Sequence, residues 1–256
     1  MHSGRAERIS AHMGVHDIIS ALADGWRDFA AEPAKGLFFG AIYAGGGLLI
    51  TLLLSYYRSV WLILPMAIGF PLIAPFVAAG LYEISRRRSR EEPAPWREVL
   101  SVVWRQSRRE FGWMAFVVLF IFWIWMYQVR LMIALFMGLK GFSSLDGFLV
   151  ALTQQDGRIF LVAGSISGAL LSFVLFCTTV IAMPLLLDRE ADFITAMITS
   201  WRVVLENLLP MMVFAAVIAI LTFAALLPAF LGLLVVLPVL GHSTWHVYER
   251  AMKGAS

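Results

Sequence analysis

Charge is what this chain has least of. Only 14% of its 256 residues are Asp, Glu, Lys or Arg, while 60% are hydrophobic. Soluble domains carry about a quarter charged residues. A water-soluble core cannot hide so much apolar surface, so the composition excludes an ordinary soluble enzyme and calls for a bilayer as solvent. Cysteine is nearly absent. The single Cys177 excludes an intrachain disulfide framework and a cysteine-rich zinc or iron–sulfur site. Histidine is sparse: His2, His12 and His16 precede the first apolar run, which leaves His242 and His246. No phosphate-binding glycine loop leads into a helix with Lys, and neither a serine nucleophile elbow nor a His-Glu-x-x-His motif is present. The first 35 residues lack the short apolar core of a cleavable signal peptide, so the first apolar run is expected to act as an uncleaved anchor.

What the chain does have is long apolar runs. A helix crosses the hydrocarbon core with about 20 apolar residues. Six segments qualify, at approximately 36–57, 60–82, 113–136, 160–187, 208–227 and 229–248, with Pro228 dividing the last two. Sixteen of the twenty Lys and Arg residues fall before the first run, in 83–112, in 188–207 or after the last run. Arg58, Lys140 and Arg158 fall on the other side, and Arg130 lies inside the third run. Basic residues stay on the cytoplasmic side, so both termini are expected there. The run "SRRRSR" (85–90) is expected at headgroup level. It flanks a span and no base-stacking module accompanies it, so nucleic acid is not an expected partner.

Three cytoplasmic segments share a pattern: "DIISALADGWRDFAAEP" (17–33), "WREVLSVVWRQSRREFG" (96–112) and "DFITAMITSWRVVLENLLP" (192–210). Each carries large apolar residues four apart, on one helix face: Ile18, Leu22, Trp26; Trp96, Leu100, Trp104; Phe193, Met197, Trp201. Each Trp is followed by Arg, at Arg27, Arg105 and Arg202, then by a breaker and an apolar run. Trp suits the headgroup layer, and Arg can reach phosphates over an apolar stem. The pattern predicts an internal repeat with units 15–82, 94–187 and 190–250 in a single integral membrane domain, 1–256. The fold expected is all-α: a polytopic protein with six transmembrane helices as three hairpins, each preceded by a cytoplasmic, interfacial, amphipathic helix. In the long second loop, about 138–159, Ser144 followed by Leu145, Phe148, Leu149 and Leu152 predicts a helix on the outer surface. Glu83, Asp188 and Glu249 close the even-numbered spans and are candidates to pair with the arginines of the Trp-Arg helices.

The chain resembles a family of bacterial integral membrane proteins catalogued as domain of unknown function 2189. The stretches that carry the resemblance are "GWRDF" (25–29), "GLFFG" (36–40), "GFPLIAPFVAAGLYEISRR" (69–87), "FIFWIWM" (120–126), "PLLLDREADFITAMITS" (184–200) and "LGLLVVLPVLGHSTWH" (231–246). The resemblance implies a six-span protein of the bacterial inner membrane and no established activity. Members are sometimes labelled as the large cytochrome oxidase subunit. That label implies six His ligands spread over several helices, and this chain has two His in its apolar runs, both on one helix.

Two polar features inside the runs are candidates for function. His242 and His246 stand one turn apart and could chelate a metal, with Glu249 as third ligand. Glu249 lies about 10 Å along the axis from His242, so packing is the favoured role and neither metal nor cofactor is expected. On that reading His242 faces the bundle with a polar neighbour while His246 sits at the rim, and His242→Ala is the more damaging change. Arg130 either snorkels or pairs within the bundle, or contacts an anion. The prolines Pro71, Pro75, Pro184 and Pro238 interrupt even-numbered spans, and "GGG" (45–47) and "GSISG" (164–168) suit close helix contact. These features predict a non-catalytic inner-membrane protein, lipid-interacting or an assembly or accessory factor. Its expected partners are membrane lipids, other membrane proteins or a second copy. The alternative is a small transporter or channel with a path between the hairpins.

Overall fold

The computed structural model describes residues 12–57, 63–107, 110–136 and 153–252. Among them are ten helices and no strand: α1 (Val15–Ala31), α2 (Pro33–Tyr57), α3 (Ile63–Ser89), α4 (Trp96–Ser107), α5 (Glu110–Phe136), α6 (Gln155–Thr179), α7 (Ala182–Asp188), α8 (Phe193–Glu206), α9 (Leu208–Leu226) and α10 (Leu233–Met252). Ser144, Leu145, Phe148, Leu149 and Leu152, expected to form a surface helix, lie outside the described residues.

Local sequence sets the helix ends. At the start of α1 the Gly14 N–H donates to Asp17 Oδ2 at 2.8 Å. At the start of α8 the Asp192 carboxylate accepts the Thr195 N–H at 2.9 Å, a side-chain cap of a helix N-terminus. Pro33 opens α2 directly after α1, because a first-turn residue needs no N–H donor. Between α8 and α9, Asn207 leaves helical geometry and its Oδ1 accepts the Met13 N–H at 2.8 Å. In the turn between α9 and α10, Ala229 and Phe230 both have positive φ, 50° and 67°. Left-handed backbone at a non-glycine residue costs about 1–2 kcal/mol. Contact of the Phe230 ring with Gly47 of α2 offsets part of this. The turn also moves the start of the last helix. It begins at Leu233 rather than at 229, and it runs on to Met252.

The chain divides into two compact units, Met1–Phe116 with Cys177–Ser256, and Val117–Phe176. In the first unit α10 is the helix on which the others assemble. It packs most extensively against α1, then against α2 and α3, and it also touches α7 and α9. Two glycines explain the close approach. A Cβ on Gly25 of α1 would lie 2.6 Å from the Ser243 nitrogen and 2.8 Å from the Val239 carbonyl oxygen; one on Gly40 of α2 would lie 2.9 Å from Leu234 Cα. Helix backbones therefore meet directly, as small residues permit in membrane bundles. Phe39 of α2, Val77, Leu81 and Ile84 of α3 and Val99 of α4 form one buried cluster.

The second unit holds the remaining lengths of α5 and α6. Its large apolar side chains point outward, among them Phe120, Trp125, Leu131, Leu135, Val162, Ile166 and Leu170. A Cβ on Gly164 or Gly168 would meet nothing within 4 Å. The close contact expected of this glycine pair is therefore not made among the described residues. Three described stretches are long and apolar enough to cross a membrane: Glu110–Phe136, Gln155–Asp188 and Leu208–Leu226.

Candidate functional site

The face that α1 turns to the bundle is made of small or polar residues: Ala21, Gly25 and Asp28, between Ile18 and Phe29. Asp28, only 5% exposed, receives donors from two other helices. Arg88 Nε lies 2.8 Å from Oδ1, Ser85 Oγ 2.6 Å from Oδ2 and His246 Nε2 2.8 Å from Oδ2. Burial opposes ionisation of the carboxyl, but the bonds from His246, Ser85 and Arg88 outweigh it and hold its pKa down at about 2.

The hydrogen positions follow from what each group can do. His246 Nδ1 faces Glu249 Oε2 at 3.3 Å while Nε2 faces Asp28. Ionised carboxylates only accept, so both ring nitrogens donate and the ring is the imidazolium. Ser85 gives its one hydrogen to Asp28. The 2.8 Å contact between Ser85 Oγ and His242 Nδ1 is therefore donated by His242, which fixes the proton of that ring on Nδ1. Ser89 Oγ donates to Glu249 at 3.1 Å. A second tie runs beside this chain: Arg250 of α10 donates to Asp24 of α1 at 2.5 Å and to the His246 carbonyl at 3.1 Å. The arrangement is an ionic clasp that joins α1, α3 and α10.

The arginine run at the end of α3 is ion-paired within the protein. Arg86 and Arg87 both bind Glu83, at 2.7 and 2.6 Å, and Arg87 also reaches Glu98 of α4 at 3.2 Å. Arg88 binds Asp28 and Arg90 binds Asp188, at 2.8 and 2.9 Å. Four arginines thus meet four carboxylates, and the run is a set of counter-charges within the protein.

The other expected residues fall as follows. Glu83 is fully buried. Asp188 accepts the Tyr248 hydroxyl at 2.9 Å as well as Arg90. The three terminal acids do hold cations, but these are Arg86 and Arg87 of α3, Arg90 just beyond it, and His246, not the arginines that follow the three Trp. Arg27 pairs instead with Asp24 of its own helix at 2.8 Å. His242 is completely buried, with Ser85 as its polar neighbour. His246 departs from expectation: it is 8% exposed and inside the clasp rather than at the rim, because Asp28 comes in from α1 to meet it. Among the described residues no three His, Cys, Asp or Glu side chains are grouped to hold a metal. Arg130, in the second unit, is exposed and makes no hydrogen bond or ion pair among the described residues. Trp26 and Trp104 are 54% and 65% exposed. Trp201 is half-buried and its Nε1 donates to Thr178 Oγ1 at 3.2 Å. Arg105 and Arg202 are exposed.

Asp24, Asp28 and Arg250 did not stand out in the sequence, and Ser85 and Arg88 stood out only as part of the basic run expected at the headgroups. The available signal was the 3-4-3 spacing of Ile18, Ala21, Gly25 and Asp28, which puts an acid on the same face as two small residues. The clasp also changes the expected order of two substitutions. His246→Ala leaves the buried Asp28 and the part-buried Glu249 without their shared cation, whereas His242→Ala removes a neutral donor from Ser85. Thermal melting in detergent should show a loss for His246→Ala at least as large as for His242→Ala; a markedly smaller loss would contradict the clasp.

Helices of this length and apolarity, with large side chains turned outward, define an all-helical integral membrane protein. The family model described as "Predicted integral membrane protein (DUF2189)" matches residues 63–188, and over that stretch the chain is similar to this family. The match includes Glu83, the arginine run and Asp188, while α1 and α10 lie outside it. Neither the curated proteins nor the solved structures give a match.

Proposed function

We infer that the protein is a non-catalytic component of the bacterial inner membrane, lipid-interacting or serving as an assembly or accessory factor for a membrane complex. It crosses the bilayer six times as three hairpins with both termini cytoplasmic. The observation that carries this reading is that α1, α4 and α8 are apolar on two sides. One side of each packs inward: Ile18 and Ala21, Val99 and Val102, Ala196 and Val203. The other presents Ile19 and Trp26, Leu100 and Trp104, Ile194, Ile198 and Leu205 outward. Large apolar groups left outward on helices that adjoin long apolar helices call for a cover, and the headgroup layer supplies one for helices lying in its plane.

Brominated lipids in proteoliposomes test this. Bromines near the headgroups should quench a component of the Trp fluorescence that disappears in Trp26→Phe/Trp104→Phe protein, and bromines at the chain ends should not. If that component escapes quenching at every depth, α1 and α4 project into water and the reading fails. The transporter reading draws on the buried line from His242 through Ser85 and Asp28 to His246. Ion or proton flux through such proteoliposomes that Asp28→Asn abolishes would favour it.

A further inference from the structure

Two sets of arginines in the first unit differ in their partners. Those of the run 86–90 are spoken for: each is in an ion pair with Glu83, Glu98, Asp28 or Asp188. Arg97, Arg105 and Arg202 are exposed and make no hydrogen bond or ion pair among the described residues. They sit on α4 and α8, the helices whose outward sides carry Trp96, Leu100, Trp104, Ile194 and Ile198. A guanidinium beside outward apolar groups can leave its stem in the acyl boundary and put its donors among phosphates. It forms paired hydrogen bonds to phosphate oxygens, which a point charge does not.

We propose that Arg97, Arg105 and Arg202 bind the phosphates of anionic phospholipids and give the protein a preference for an anionic leaflet, while the conspicuous run Arg86, Arg87, Arg88 and Arg90 contributes nothing to that preference. This rests on the interfacial placement of α4 and α8 given above. The argument is one of charge complementarity. Arg86, Arg87 and Arg88 hold Glu83 and Asp28, both buried, so drawing them to lipid would uncover those carboxylates; Arg90, half exposed, is held by Asp188. The three solitary arginines have no such competitor. An isolated basic side chain near an anionic membrane surface contributes about fivefold in local association, equivalent to roughly 1 kcal/mol.

The experiment reconstitutes the full chain in mixed phosphatidylcholine and phosphatidylglycerol and reads the motionally restricted fraction of each spin-labelled lipid. Wild-type protein should restrict phosphatidylglycerol preferentially. Arg105→Gln/Arg202→Gln should lower that preference about fivefold or more, with unchanged helical circular dichroism and an unchanged monodisperse profile in detergent. Arg90→Gln should leave the preference intact. Two results overturn the proposal alone: no anionic preference in wild type while headgroup bromines still quench Trp26 and Trp104, or an Arg90→Gln loss equal to that of the double variant. Absence of bromine quenching overturns the interfacial reading and the proposal together.

Discussion

Asp28→Ala is expected to lower stability by about 3–5 kcal/mol, the usual consequence of removing one partner from a buried charge group. The substitution strands His246 as a buried imidazolium and leaves Arg88 and Ser85 without their acceptor. Asp28→Asn keeps the shape and loses the charge, so it should fall between wild type and the alanine variant. The same carboxylate gives a pH dependence. Its folded pKa of about 2 lies below its ordinary 3.8. A depressed acid contributes stability that is complete above the ordinary value and is lost as pH falls through the folded one. Melting temperature in detergent should therefore drop between about pH 4 and pH 2 in wild type, and this part of the drop should be missing in Asp28→Ala. An alanine variant as stable as wild type would refute the clasp.

Gly25→Val is the second large effect. Its Cβ would land on the Ser243 nitrogen and hydroxyl and on the Val239 carbonyl. These are mostly backbone atoms, which cannot rotate away, so α1 must lift from α10 and the Asp28–His246 contact opens with it. The expected loss is about 3 kcal/mol, the upper end for overpacking. Gly164→Ala makes the matching control. Its Cβ meets nothing within 4 Å, and alanine exceeds glycine in helix propensity by about 1 kcal/mol, so this variant should melt at or above wild type. Equal behaviour of the two would mean that α1 does not sit against α10.

The segments that became α1, α4 and α8 were legible from their four-residue spacing, and the membrane character was legible from composition. The same spacing hid the inner face of α1. The stripe Ile18, Leu22, Trp26 was expected to share one interfacial face, but Ile18 is buried and Trp26 is exposed. In a lipid setting the roles divide differently. Bulky Trp26 faces outward, and Ala21, Gly25 and Asp28 let the neighbouring helix come close. The partners of Asp28 lie 57, 60 and 218 residues away, and no local pattern encodes such distances. The placement of His242 inside the bundle could be reasoned from the cost of an unsatisfied imidazole in lipid. The burial of His246 could not, because it depends on an acid that arrives from another helix.

The position of α10 at the centre has a consequence in time. α1 and α2 are made early, yet the surface they pack on, from Leu234 to His246, is made about two hundred residues later. At about 5–20 residues per second, Asp28 waits roughly 10–45 s for His246 to be synthesised. During that interval the Gly25 face of α1 has no helix against it, and its carboxylate has at most Ser85 and Arg88 for company. Chains stalled before α10 should therefore carry an open, charged seam along their first helix. Synthesis of α10 closes that seam.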